Sequence, residues 1–145
     1  MEAGNLGEAL AHVAERLRAE LPYTKTEDIA GIEAALVGED LMKGVFGTEE
    51  ESLVGELRGA LVRIAAALGA DLENGQLRRV RVAIDGVEMA TRGEILAGNA
   101  WHLPRLFPSF VFMVALPIVE QDLALKVSQR AAELIDSELG PQAGI

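Results

Sequence analysis

The chain has 145 residues, half of them hydrophobic and a quarter charged, enough for one cored domain without staples. It has no cysteine, which excludes disulfides, thiol catalysis and cysteine-ligated metals. Its net charge of −10 sets it against phosphate backbones, so no direct nucleic-acid binding is expected.

The N-terminus MEAGNLGEAL lacks the basic and apolar regions of a secretion signal, which makes a cytoplasmic protein the expectation. Over residues 5–21, Leu6, Leu10, Val13, Leu17 and Leu21 recur at helical spacing, with Asn5 as the expected N-cap and Pro22 as the stop. Glu8, His12 and Glu15 fall on the opposite face. Their spacing suits a metal inside a bundle, but they point away from the apolar stripe, so a solvated face is the reading taken.

Thr24 with Glu27 matches a capping box and opens a second helix, with Ile29, Ile32, Leu36 and Val37 inward and Gly38 at its end. A short piece follows in EDLMKGVF. Thr48 with Glu51 repeats the capping box. The helix it opens turns Leu53, Leu57, Leu61, Ile64 and Leu68 inward and caps at Gly69.

Residues 75–98 fit two periods. Val80, Val82 and Ile84, the Asp85-Gly86 turn, then Val87, Met89 and Thr91 read as a hairpin over 79–91. Leu77, Val80, Ile84, Val87, Thr91 and Ile95 equally line one face of a helix, at a cost of about 1 kcal/mol for Gly86. A two-stranded hairpin is marginal alone, and the elements around it read as helices, so context tips the reading to helix. The arginines Arg78, Arg79 and Arg81 form the basic cluster of the chain and read as a solvated face.

The stretch LPRLFPSFVFMVALPIV, residues 103–119, carries one charge, Arg105, and is otherwise almost wholly apolar, so that a strand there would need cover on both faces. Thirteen residues from Phe107 to Val119, with two internal prolines, fall short of the roughly 20 that cross a membrane. Read as a helix, it opens with Pro108 in its first turn and bends or ends at Pro117, and it must be covered all round. A second copy of the chain is the simplest cover, so a homodimer is expected, with Phe110, Val114, Leu123, Val127 and Leu134 in the interface. A final helix carries Leu123, Val127, Ala131, Leu134 and Ile135, and residues 139–145 form a tail.

The fold class expected is therefore all-α. It is a single domain over 1–145, a helical bundle with a C-terminal pair of long helices, and its alternative is α+β with a small sheet built on the 79–91 hairpin. No G-x-S-x-G, H-E-x-x-H, P-loop or G-x-G-x-x-G is present, so neither catalysis nor a cofactor is expected. The candidate ligand site is Trp101, His102 and Arg105, at the mouth of a pocket lined by Phe112 and Met113, for a small apolar or amphipathic ligand whose acidic group the imidazole and guanidinium would orient. The alternative, which the residue types favour, is that Trp101 caps the core, His102 satisfies a carbonyl, and Phe112 and Met113 are plain core.

AIDGVEMATRGEIL (83–96) and LFPSFVFMVALPIVEQDLALKVSQRAAELI (106–135) together resemble the penultimate and last helices of TetR-type transcriptional regulators. An Asp-Gly sits inside the first, and a proline follows the apolar run of the second. The resemblance covers about half of the chain. It implies a ligand-sensing C-terminal domain that dimerises through its last helices and serves transcription regulation. The family's N-terminal helix-turn-helix is not visible, and DNA binding is carried onto no residue here. Two further readings stand beside it: a non-catalytic interaction module pairing through its apolar helices, and a small α+β enzyme.

Overall fold

The computed structural model describes residues 3–21, 48–68 and 74–140. They form five α-helices and no strand: α1 (Ala3–Ala19), α2 (Thr48–Leu68), α3 (Asn74–Leu96), α4 (Leu103–Ala115) and α5 (Gln121–Leu139), with a 3-10 turn at Ala100–His102 before α4. The helices expected between residues 24 and 46, the Gly69 cap and residues 141–145 lie outside the described residues. Leu139 closes α5, one residue inside the expected tail.

The helix α1 buries Leu6, Leu10, Val13 and Leu17. It starts at Ala3, so Asn5 lies inside the helix rather than capping it. Arg16 and Arg18 occupy its last turn, where cations complement the helix dipole. At Gly7 it runs close to α2: a Cβ there would lie 2.5 Å from a carboxylate oxygen of Glu56.

All five inward residues expected in α2 are buried, and so are Val54, Ala60, Val62, Ala65 and Ala66. A helix apolar nearly all round belongs in the interior. Accordingly α2 packs against α1, α3 and α4.

Residues 74–96 are a helix, and the hairpin at 79–91 does not form. Val80, Ile84, Val87 and Thr91 are buried at the 3.6-residue period, and the Thr91 hydroxyl donates to the Val87 carbonyl at 2.8 Å. Burial of each large apolar side chain is worth about 1.5–3 kcal/mol, so this stripe outweighs the cost of Gly86. Asp85, which with Gly86 signals a turn in the sequence, pairs with Arg58 of α2 at 2.9 Å. The helix ends at Gly98, whose φ of 76° suits glycine. The Asn99 N–H donates to Glu94 and the Gly98 N–H to Ile95, a Schellman closure.

The apolar run becomes α4. Pro104 falls in its first turn and Pro108 lies inside it, where the Ser128 hydroxyl of α5 donates to the Pro108 carbonyl at 2.7 Å. The helix stops at Ala115 because Pro117 has no N–H to continue it. The stretch 106–135 is thus two helices, with residues 116–120 as the corner between them. Neighbours α2, α3 and α5 surround α4 and bury Phe107, Phe110, Val111, Val114 and Ala115. Most of the run is covered by the chain itself, so its cover does not require a second subunit, while Met113 and Leu116 stay exposed.

The helices close into a ring, α1 to α2 to α3 to α4 to α5 and back to α1, with α2 also touching α4 across it. One continuous core runs through all five. Among the described residues no helix is long and apolar enough to cross a membrane.

Candidate functional site

Trp101 and His102 sit on the 3-10 turn, their ring centroids 3.8 Å apart and their planes at 61°. Trp101 is 60% exposed, and His102 places Nδ1 3.4 Å from a Glu94 oxygen, which ties the turn back to the end of α3. Arg105 is exposed one turn into α4. Phe112 is half-buried against the core and Met113 exposed, roughly 10 Å further along that helix. Trp101 and His102 therefore touch, while Phe112 and Met113 lie at the far end of α4 and close no pocket with them.

A groove among the described residues lies elsewhere, between the end of α1 and the first half of α5. It measures about 290 Å³, opens widely to solvent, and is lined by Leu17, Glu20, Leu21, Leu123, Lys126, Val127 and Arg130. Its floor is apolar. On its rim the Arg130 guanidinium holds both carboxylate oxygens of Glu20, at 2.7 to 3.1 Å, and reaches Glu133 at 2.8 Å. Those hydrogen bonds hold the Glu20 carboxyl below its ordinary range and raise Arg130 further above its own. Lys126 is exposed beside them. Leu17, Leu123 and Val127 are legible in the sequence as stripe residues. No spacing, however, brings 17–21 against 123–130, so the groove itself has no sequence signal.

The residues expected at a dimer interface are mostly spent in the monomer. Phe110, Val114, Val127 and Leu134 are buried by the chain's own helices, and Leu123 is half-buried in the groove wall. They offer no free surface to a second copy. Exposed large apolar side chains lie elsewhere: Trp101 on the 3-10 turn, Met113 and Leu116 at the end of α4, Leu125 on α5, and three on α3. Val82, Met89 and Leu96 are exposed at 66%, 56% and 72% and recur every seven residues, which places them in one line. That spacing was readable. In a period-two reading Val82 and Met89 serve as strand residues, and in the helical reading they fall off the inward stripe.

Charged side chains are used structurally. Arg92 is almost wholly buried in α3 and meets the Glu51 carboxylate through two nitrogens, at 2.9 and 3.3 Å. Glu88 and Asp85 flank Arg58, at 3.5 and 2.9 Å. Glu8, His12 and Glu15 are exposed; His12 lies 3.4 Å from Glu138, and Glu15 lies 2.8 Å from Arg63. Among the described residues no three His, Asp or Glu side chains converge on a metal position. Arg78, Arg79 and Arg81 are exposed at the start of α3.

Comparison of the chain with protein-family models, curated proteins and solved structures finds no match. The likeness to TetR-type domains rests on the residues quoted above alone.

Proposed function

We propose that this chain is a non-catalytic helical association module that engages a partner through the outward face of α3. The observation that carries the reading is the line of Val82, Met89 and Leu96, three large apolar side chains left to solvent on a helix whose other face is fully used. Spaced two turns apart, they form a line along one helix face, the arrangement by which one helix docks on another. On one side of the line the exposed positions, Gly86, Ala90, Gly93 and Ala97, are uncharged and small, and on the other Asp85 borders it. The cytoplasmic placement drawn from the N-terminal sequence belongs to the same reading. The enzymatic alternative rested mainly on the 79–91 hairpin, and that stretch is helical.

Replacing Val82, Met89 and Leu96 together by serine tests the reading. The monomer does not pack these side chains, so its melting temperature at low concentration stays within a degree or two of the parent. A drop of about 6 °C or more, equivalent to roughly 2 kcal/mol, shows that they serve the chain's own core and ends the reading.

The groove supports a second reading, a ligand sensor of the TetR-regulator type. Its floor of Leu17, Leu21, Leu123 and Val127 suits an acyl tail, and Lys126 on its rim suits an acidic head. A medium-chain fatty carboxylate at one hundred times its Kd adds about 2.7 kcal/mol of stability. The sensor reading then displaces the module if that gain vanishes in Leu123→Arg.

A further inference from the structure

We infer that the outward face of α3 is a self-complementary seam on which a second copy of this chain packs its own α3, antiparallel, about a two-fold axis. The inference rests on the association reading and names its partner.

The face has a pattern beyond its three large residues. Val82, Gly86, Met89, Gly93 and Leu96 follow one another at steps of four and three, the spacing that keeps one helix seam facing a neighbour. Large and absent side chains alternate along it. Among the described residues a Cβ added at Gly86 or Gly93 would meet nothing within 4 Å, as is also true of Gly55 and Gly75. Glycine inside an exposed helix weakens it relative to alanine, and what sets Gly86 and Gly93 apart is their place between the large apolar residues of one line.

An antiparallel copy gives that place a use. One register sets Val82 over Gly93 of the partner subunit and Met89 over Gly86 of the partner subunit. By the two-fold, the same contacts then repeat in reverse. Each large side chain drops onto a bare stretch of backbone, and the two helices approach closely. Leu96 then lies along the aliphatic stem of Arg79 of the partner subunit. A parallel copy in register places Val82 on Val82, Met89 on Met89, and glycine on glycine, which leaves alternating clashes and gaps.

Charge selects the same direction. Arg78, Arg79 and Arg81 crowd the start of α3, and its last turn, at Leu96 to Gly98, carries no charged side chain on this face. Parallel packing stacks six arginines at one end. Antiparallel packing lays each trio beside the carbonyl end of the partner's helix, where the helix dipole favours cations. The large and bare positions of the seam are uncharged, and Asp85 at its edge is held by Arg58 of the same chain at 2.9 Å.

Sedimentation velocity on the full chain from 1 to 200 µM, with cysteine cross-linking, tests the seam. The parent chain sediments as a dimer, and Met89→Glu weakens that dimer about a hundredfold. Met89 is exposed, so circular dichroism of the variant matches the parent. The chain holds no cysteine, which makes engineered pairs unambiguous. Under oxidation Val82→Cys with Gly93→Cys forms a covalent dimer and Val82→Cys alone does not, because its two copies lie about 16 Å apart in this register. A monomer at 200 µM overturns the inference. So does a dimer that Met89→Glu leaves intact, or one that cross-links through Val82→Cys alone. The association reading falls separately, on the serine variant and the carboxylate melts described above.

Discussion

Replacing both Gly86 and Gly93 by alanine separates what the monomer needs from what the seam needs. Neither position has a positive φ, and neither new methyl meets an atom of the described residues within 4 Å. In the monomer each substitution therefore gains the full helix-propensity difference, about 0.8–1 kcal/mol. The sites are seven residues apart, about 10 Å along α3, so the two gains add to roughly 2 kcal/mol. For a chain of this size that raises the melting temperature by about 4–8 °C. In the dimer the same methyls stand where Met89 and Val82 of the partner subunit must seat. The assay is thermal unfolding followed by circular dichroism at 1 µM and again at 200 µM. The parent melts higher at 200 µM because association stabilises it, and the alanine variant shows little such dependence. Its advantage is then large when dilute and small when concentrated. Lower stability at 1 µM would show that the fold itself needs the glycines. An equal gain at both concentrations would show that nothing packs on them. Either result refutes the reasoning.

Phe107, fully buried at the centre of α4, gives a core control: Phe107→Ala costs about 3–5 kcal/mol in urea unfolding, with an unchanged m-value. Glu51→Ala removes a carboxylate from the buried Arg92 and costs about 3 kcal/mol by the same measurement, whereas a solvent-screened pair would cost less than 1. The Glu20 carboxyl titrates below its unfolded value, so its stabilisation is complete above about pH 4.5 and is lost as pH falls through the lower, folded value. Melting curves of Glu20→Gln and the parent therefore differ most at neutral pH and converge as the pH falls through the folded value, while Arg130 stays charged throughout. A difference that stays constant from neutral pH down through the acid range would place the effect of the substitution in packing rather than charge.

The inward faces were legible because periodicity reports burial directly. Leu10, Leu57, Ile84 and Leu134 were readable from spacing alone, and each is buried. The contested stretch at 75–98 shows why local signals can mislead. Asp85-Gly86 is a turn signal only while the two residues have no tertiary partner. Here Arg58 of α2 takes the aspartate, and the stripe from Val80 to Thr91 finds a helical core to enter. Nothing within 75–98 encodes Arg58, so the decision between hairpin and helix was not local. The five proposed ligand residues suffered a different limit. Proximity in sequence brought Trp101 and His102 together, but the length of α4 carried Phe112 and Met113 away from them. The groove walls come from opposite ends of the chain, and pattern within either segment is silent about the other.

The two apolar features of this chain answer opposite questions, and confusing them misplaces its partner. A short run apolar on every side, such as α4, is what an interior demands, and the ring of helices supplies cover from three directions. Its density of apolar residues is evidence for burial within one chain. An association face has to remain tolerable in water before the partner arrives, so its apolar residues are few, spaced and set among polar neighbours. Val82, Met89 and Leu96 meet that description: one large side chain per two turns, with Arg78, Arg81, Asp85 and Glu94 on the same helix keeping it wetted. The glycines between them hold the face flat enough for close approach while adding no further apolar surface. The place to look for a partner on a helical bundle of this kind is therefore the mostly polar helix whose few misplaced apolar residues keep a strict period, and in this chain that helix is α3.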